Sequence, residues 1–224
     1  IIRKRGAGSL YVSAESSFFS LEEPIKAAGS ELFVKRQYFK LVGKPTLLKG
    51  YTYQKELMKD NDTVESGDRI EVVVTMESKN DYEYLLFEDL KPAGFEATSV
   101  RSGYNLEAFE LKGKAVTAKH KPDTRTPVVS EKPNVARSRR PGSPIQTDDL
   151  EIHTGVRVGV YQELRDRKIA MFITKLPQGV FEMKYEMRAE TPGKFHALPL
   201  TGQAMYVPEI RGNSDEVRVE VRDK

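Results

Sequence analysis

The sequence predicts an all-β fold, an antiparallel β-sandwich that carries a long disordered insertion. Apolar and polar residues alternate with period two in many short runs, as they do in strands with one buried face and one wet face. Amphipathic helix patterns longer than two or three turns are missing, so no layer of helices is expected over the sheets. The 224 residues suffice for one large β domain with a sizeable core.

Two runs show the alternation most clearly. Arg69–Glu77 follows the turn signal Glu65–Asp68, and its inward face is expected to consist of Ile70, Val72, Val74 and Met76. In Phe181–Glu190 every second residue is apolar and the intervening residues are charged. The inward face of this strand is expected to consist of Phe181, Met183, Tyr185, Met187 and Ala189.

Shorter runs of the same kind complete the predicted sheets. Links such as Arg165–Arg167 and Leu176–Gly179 join them. Pro199 lacks an N–H group and is therefore expected on an edge strand or at a bulge, a place that also suits Gly202. Further strands are predicted at Leu10–Phe19, Leu32–Leu41, Tyr82–Phe87, Val156–Leu164, Lys168–Thr174 and Val217–Val221.

The predicted insertion spans residues 113–150. Between Gly113 and Thr147 there are eight Lys or Arg residues against Asp123 and Glu131, a local charge of +6, which leaves −3 for the rest of the chain. The segment is rich in proline and poor in core-forming residues, so we expect a mobile loop between strands. Because it also lacks aromatic residues that stack on bases, nucleic acid is not an expected partner.

Residues with reactive or metal-binding side chains are scattered along the chain. The sequence contains no cysteine, which excludes disulfides, thiol nucleophiles and thiolate metal ligands within it. His120, His153 and His196 lack metal-ligand spacing, and we expect them at surface or turn positions. Gly6–Gly8 has no third glycine and predicts a turn before a strand rather than a phosphate-binding loop. Asp60–Asp62 lacks further calcium ligands and predicts a hairpin tip.

Three carboxylate pairs, Glu22–Glu23, Glu88–Asp89 and Asp148–Asp149, are each adjacent in sequence. In a strand, adjacent side chains point to opposite faces, so the members of a pair cannot flank a substrate together, and we expect solvated charges. The Gly-x-Ser-x-Gly signature of a nucleophilic serine is absent. The sequence therefore predicts no catalytic residues, no cofactor and no metal site.

Neither membrane insertion nor a complete chain is expected. No run of about 18 apolar residues occurs, so the chain should not enter a membrane directly. It begins at Ile1 rather than at methionine and opens without a targeting signal, which indicates a piece of a longer protein.

Several stretches, in this order and spacing, resemble the C-terminal region of bacterial members of the alpha-2-macroglobulin family. The resemblance implies an immunoglobulin-like, macroglobulin-type β-sandwich over residues 31–224, preceded at 1–30 by a remnant of a CUB-like β domain and a linker. The matching stretches are Gly6–Val12, Glu22–Ile25, Leu32–Phe39, Val64–Val72, Phe87–Glu96 and Glu163–Asp166.

Proteins of this family trap proteases after a bait segment is cleaved, often with the help of an internal thioester. The resemblance therefore implies a non-catalytic domain of an extracytoplasmic protease inhibitor. Its partners would be the upstream thioester and macroglobulin-like domains of the same polypeptide, and target proteases through the full-length protein. The thioester needs a cysteine, which this chain lacks. The receptor-binding lysines of animal relatives are also missing from the residues after Gly94–Phe95, so that role is not expected here.

Two other functions remain as alternatives. A β-sandwich adhesion or carbohydrate-binding module would need exposed aromatic platforms, and the sequence contains no tryptophan to supply them. A hydrolytic enzyme is disfavoured because signals for a nucleophile and for a metal are both lacking.

Overall fold

The computed structural model describes residues 3–12, 24–46, 50–98, 103–111 and 155–224. Within these residues the secondary structure is entirely β, which confirms the predicted fold class. In chain order the strands are β1 (Ala28–Gly29), β2 (Leu32–Thr46), β3 (Gly50–Leu57), β4 (Asp62–Glu65), β5 (Arg69–Ser78), β6 (Tyr82–Leu90), β7 (Phe95–Ala97), β8 (Gly103–Glu110), β9 (Arg157–Leu164), β10 (Lys168–Leu176), β11 (Gly179–Ala189), β12 (Gly193–Ala197), β13 (Thr201–Ala204), β14 (Val207–Asn213) and β15 (Val217–Arg222).

The strands form two sheets. The larger sheet has the order β1-β14-β13-β6-β10-β9-β8-β11-β5-β2-β3, with β7 also paired to β11. The smaller sheet has the order β12-β15-β4, and its β15–β4 pair is parallel. The large sheet curls, so that β2 from one end packs against β13 and β14 from the other. The two halves of one sheet thus form the layers of the sandwich.

The core consists of the inward faces predicted from the alternation. On β11 the side chains of Met183 and Met187 are fully buried and that of Tyr185 is nearly so, whereas Lys184 and Arg188 are exposed. β11 pairs with β5 in the register that places Met183 beside Val74. This confirms the predicted faces of both strands, because a one-residue slip would have turned the apolar set to solvent.

A row of glycines lets β2 cross over the opposite layer. Gly29, Gly212 and Gly202 are aligned across β1, β14 and β13, and Phe87 on β6 continues the row. A Cβ atom on Gly202 would lie 2.6 Å from the Phe87 ring. On Gly29 or Gly212 it would lie 2.3 Å from the Leu32 carbonyl oxygen. The close approach of backbone to backbone at this place therefore requires glycine.

Of two local predictions around these glycines, the one for Pro199 was wrong and the one for Gly202 was right only in part. Gly202 lies in β13, which pairs with β14 on one side and β6 on the other, so it is in the sheet interior rather than on an edge. The β13–β14 pairing does have a register shift between Gln203 and Ala204, directly after Gly202. A glycine is required at position 202 because the Phe87 ring packs over it. Pro199 lies in the link between β12 and β13, outside any strand.

The predicted turns differ in outcome. Glu65–Asp68 is a turn, in which the Asp68 amide donates to the Glu65 carbonyl at 3.0 Å. Arg165–Arg167 joins β9 and β10 as a hairpin, as expected. Asp60–Asp62 is a turn with Asn61 at φ 66°, but the strands that it joins, β3 and β4, do not pair with each other. It is therefore not a hairpin tip, because β4 pairs with β15 instead.

Other predictions fall partly or wholly outside the described residues. Of Leu10–Phe19 only Leu10–Val12 is described, and these residues are exposed and not in a strand. Gly6 and Gly8 both have positive φ, but no strand follows them in the described stretch up to Val12. The insertion 113–150 lies outside the described residues. The assignment of 1–30 to a preceding domain stays a prediction. In the described parts of the chain, no helix could span a membrane.

Candidate functional site

A charged side chain occupies an inward position of β2. Arg36 follows Leu32 and Val34 on the buried face, and its side chain has no exposed surface. It reaches across the sandwich and forms an ion pair with Asp89 of β6, whose side chain is also fully buried. The other guanidinium nitrogen, Nη2, donates to the carbonyl oxygens of Ala197 at 2.9 Å and Leu198 at 2.8 Å. Arg36 thus ties together β2, β6 and the link after β12.

Two tyrosines complete this buried charge network of Arg36, Asp89, Tyr185 and Tyr38. The Tyr185 hydroxyl on β11 donates to the second carboxylate oxygen of Asp89. The Arg36 guanidinium carbon lies 5.1 Å from the centre of the Tyr38 ring, a cation–π distance. Two polar atoms, Arg36 Nε and the Tyr38 hydroxyl, have no hydrogen-bond partner among the described residues. The network is therefore nearly, but not fully, satisfied.

The surroundings favour the charged form of Arg36 and the neutral forms of the two tyrosines. Burial opposes the charge on Arg36, but Asp89 and the two tyrosines together outweigh burial and raise the arginine pKa above its ordinary value. Burial raises the pKa of Tyr185, and the neighbouring Asp89 charge raises it further. Burial also raises the pKa of Tyr38, against the lowering effect of Arg36. Because these groups are sealed from solvent, the network can hold the layers in register but offers no surface to a substrate.

The residues after Asp89 form a second set of contacts between strands. The Lys91 amino group donates to the Phe95 carbonyl at 3.0 Å and to Glu96 Oε2 at 2.9 Å, and its side chain is almost completely buried. A Cβ atom on Gly94 would lie 2.3 Å from the Phe195 ring. The Gly94 carbonyl accepts a hydrogen bond from the Glu190 amide at 2.8 Å. Gly94 thus brings the turn before β7 into contact with β12 and the end of β11.

An exposed aromatic cluster lies at the β13–β14 turn. It comprises Tyr84, Met205, Tyr206 and Val207, and Tyr206 is 76% exposed. The rings of Tyr84 and Tyr206 meet edge to face with centroids 5.3 Å apart. Tyr84 has φ 54° within β6, a conformation that bulky residues rarely adopt. The Met205 amide donates to the Tyr84 carbonyl at 2.8 Å, which fixes the turn against this strained residue.

Those residues singled out in the sequence that the structure describes do not converge on one site. His196 is on the surface, as expected, with Nδ1 at 3.0 Å from Glu216 Oε1. His120 and His153 lie outside the described residues, as do Glu22–Glu23 and Asp148–Asp149. Within the described ranges, no three His, Asp or Glu side chains are placed to hold a metal ion.

The prediction that both members of Glu88–Asp89 are solvated charges was wrong for Asp89. The two side chains do point to opposite faces: Glu88 is partly exposed and pairs with Lys168 at 2.5 Å, whereas Asp89 is fully buried. Asp89 can be buried because Arg36 and Tyr185 occupy both of its oxygens. The partners come from distant strands, so the dipeptide alone contained no sign of them.

Comparison with known protein families decides the family. Residues 32–209 match the model of the bacterial alpha-2-macroglobulin MG10 domain. The chain belongs to this family. The matched residues begin at the first residue of β2 and end within β14. They therefore include the buried charge network and the aromatic cluster. A comparison with curated protein sequences gives no match.

Solved structures of bacterial alpha-2-macroglobulins share the fold of this MG10 domain. The native conformation of Escherichia coli alpha-2-macroglobulin matches with a TM-score of 0.53 and 19% identity, covering 91% of this chain and 10% of that chain. The E. coli fragment from domain MG7 to the C-terminus matches with a TM-score of 0.50 and 20% identity, covering 87% of this chain and 24% of that chain. Salmonella alpha-2-macroglobulin reacted with methylamine gives a TM-score of 0.50 at 17% identity, covering 88% and 10%. The MG10 chain thus spans a tenth to a quarter of the length of these relatives.

Proposed function

We propose that this chain is a non-catalytic terminal domain of a broad-spectrum, protease-trapping inhibitor of the alpha-2-macroglobulin family. The observation that carries the proposal is the match of residues 32–209 to the bacterial MG10 domain. In such an inhibitor the chain would work as part of a longer extracytoplasmic polypeptide, with thioester and macroglobulin-like domains as its direct partners. Proteases would be bound only by the whole protein.

The buried charge network supports a mechanical role. Its charges are paired, its tyrosines are neutral, and its side chains are sealed between the two layers. Such a network specifies one register of the layers, because any slip would leave a charge buried without a partner. A domain that transmits movement between neighbours benefits from a single rigid register.

We place the contact with a neighbouring domain of the same polypeptide at the exposed aromatic cluster. Tyr84, Met205, Tyr206 and Val207 present apolar surface to solvent on one turn, and aromatic and methionine side chains are enriched in protein interfaces. The strain at Tyr84 supports this proposal, because strained residues concentrate at functional positions.

The full-length protein provides the test of protease trapping. We expect it to block the digestion of a large protein substrate by trypsin while leaving cleavage of a small chromogenic peptide intact, because a trapped protease keeps a working active site. The isolated chain should neither inhibit trypsin nor hydrolyse the peptide. Hydrolysis by the isolated chain, or equal inhibition of large and small substrates by the full-length protein, would contradict the proposal.

A β-sandwich adhesion or carbohydrate-binding module remains the second candidate, and the exposed Tyr84–Tyr206 pair is the observation that favours it. Sugar rings stack on flat aromatic faces, whereas these two rings meet at 80° and do not form one shared platform. Binding of the isolated chain to a glycan array, lost in Tyr206→Ser, would favour this second function over protease trapping.

A further inference from the structure

The segment Ile25–Gly29, called here the strap, lies along the outside of the sandwich. All five of its residues are exposed, so the strap contributes no side chain to the core. Its backbone is nevertheless bound: β1 pairs Ala28 with Asn213 and Gly29 with Gly212 of β14. The strap is therefore attached almost entirely by polar contacts of its main chain.

Side chains bind the rest of the strap where the strand pairing stops. The Ala27 amide donates to Asp215 Oδ1 at 2.9 Å, and the Ile25 amide donates to Glu216 Oε2 at 3.2 Å. In the opposite direction, the Glu216 amide donates to the Ile25 carbonyl at 3.0 Å. Asn213 Nδ2 donates to the Lys26 carbonyl at 2.9 Å. The group that binds the strap is called here the clasp, and it consists of Asn213, Asp215 and Glu216.

Within the clasp the Glu216 side chain is buried, whereas Asp215 is exposed. The Glu216 side chain is almost completely buried, and its Oε1 lies 3.0 Å from His196 Nδ1 and 3.6 Å from Arg218 Nε. Asp215 is exposed, and its Oδ1 accepts the hydrogen bond from the Ala27 amide of the strap. Removing the Asp215 carboxylate should thus weaken the strap without disturbing the core.

The inner end of the strap is fixed. Gly29 packs against the Leu32 carbonyl, where a Cβ atom would lie 2.3 Å from the oxygen, and the Leu32 side chain has no exposed surface. Apolar burial therefore begins only at Leu32, after the strap has ended. Detachment that starts at Ile25 should stop before Leu32, because further detachment would expose the buried Leu32 side chain to water.

We propose that the strap is a releasable attachment, which opens as a unit while the sandwich stays folded. When the clasp holds it, the main chain of the strap runs along β14 and Ile25 is held in one position. When the clasp is open, Ile25 to Ala28 swing from Gly29. The device couples the position of Ile25 to Asp215 and Glu216, and it does not depend on the protease-trapping function.

Amide hydrogen exchange of the full chain, followed by NMR at single residues, tests this proposal. In the unaltered chain the Ala27 amide should be protected, yet exchange at least about a hundredfold faster than the Val74 amide of β5, because local opening needs no global unfolding. Asp215→Ala should speed exchange at Ala27 by about fivefold, the effect of losing one hydrogen bond, and leave Val74 unchanged.

Two further variants separate the hydrogen bond from other effects. Asp215→Asn keeps an oxygen acceptor and should retain most of the protection of Ala27. Asp223→Ala removes an exposed carboxylate near the end of the chain and should change neither amide. The proposal is overturned if Ala27 exchanges as slowly as Val74, if it is unprotected in the unaltered chain, or if Asp215→Ala has no effect on it.

Discussion

Tyr185 donates its hydroxyl hydrogen to Asp89 across the interior of the sandwich. The two residues belong to β11 and β6, strands that lie in opposite halves of the curled sheet and do not pair with each other. Together with Arg36 on β2, this contact places a hydrogen-bonded ion pair between the two layers of the core. Mutations in this network should therefore have effects that burial alone does not predict.

Asp89→Asn should destabilise the domain by about 3–5 kcal/mol, because it leaves the buried Arg36 charge without a counter-charge. Urea unfolding measures the loss. The control is Glu88→Gln, which affects a partly exposed pair with Lys168 and should cost at most about 1 kcal/mol. Equal losses in the two variants would show that the Arg36–Asp89 pair has no special role.

The two buried tyrosines form a matched pair for a second experiment. Tyr185→Phe removes the donor to Asp89 and should cost about 1–3 kcal/mol. Tyr38→Phe removes a hydroxyl that has no hydrogen-bond partner among the described residues and should be neutral or slightly stabilising. Thermal unfolding of both variants measures the difference. A larger loss in Tyr38→Phe would contradict the described network.

Alkaline pH should lower the stability of the domain through the same two tyrosines. The pKa values of Tyr38 and Tyr185 are raised by burial, so above pH 10 the unfolded chain loses protons that the folded chain keeps. The unfolding free energy should then fall by up to about 1.4 kcal/mol per pH unit for each such tyrosine, a loss that is absent below pH 10. Tyr38→Phe should make this fall shallower between pH 10 and 12. An unchanged slope would mean that Tyr38 ionises in the folded domain.

Gly202→Ala should destabilise the domain by about 1–3 kcal/mol, because its Cβ atom would lie 2.6 Å from the Phe87 ring and the packed core must shift. Gly159→Ala is the matched control, since a Cβ atom there meets nothing within 4 Å. Chemical denaturation compares them. If both variants were neutral, the glycine row would not be a packing requirement.

The register of β11 provides a further test. Met183→Lys should cost several kcal/mol, on the order of 3–5, because it places an unpaired charge in the core. Lys184→Met should be nearly neutral, because Lys184 is exposed and its pair with Glu182 lies at the surface. Similar shifts in melting temperature for both would mean that the strand faces are assigned incorrectly.

Alternation in the sequence predicted the strands because the sandwich buries one face of each. It placed Met183 and Tyr185 in the core, whereas the buried Arg36 of β2 was not singled out in the sequence. The identity of the partner could not follow from the pattern, because Asp89 is 53 residues away and belongs to the opposite layer. The burial of Asp89 depends on tertiary contacts that its neighbours in sequence do not show.

The strap and Gly202 were harder to recognise for a different reason. The strap is bound through its main chain, and backbone hydrogen bonds to Asp215 and Glu216 leave no periodic signal in Ile25–Gly29. Gly202 and the nearby Pro199 predicted an edge strand or a bulge. The lack of a side chain at Gly202 instead makes room for the Phe87 ring. In both cases the deciding partner is distant in the sequence.

The parallel pair of β15 with β4 has a consequence for biosynthesis. Val219 of β15 lies beside Asp62 of β4, so residues from the early and late parts of the chain must meet before the smaller sheet exists. A ribosome exposes β4 long before it has made β15, and β4 must wait unpaired through the synthesis of most of the domain. Contacts between such distant residues form slowly. Nascent chains of this domain should therefore need protection against aggregation until Val217–Arg222 has emerged.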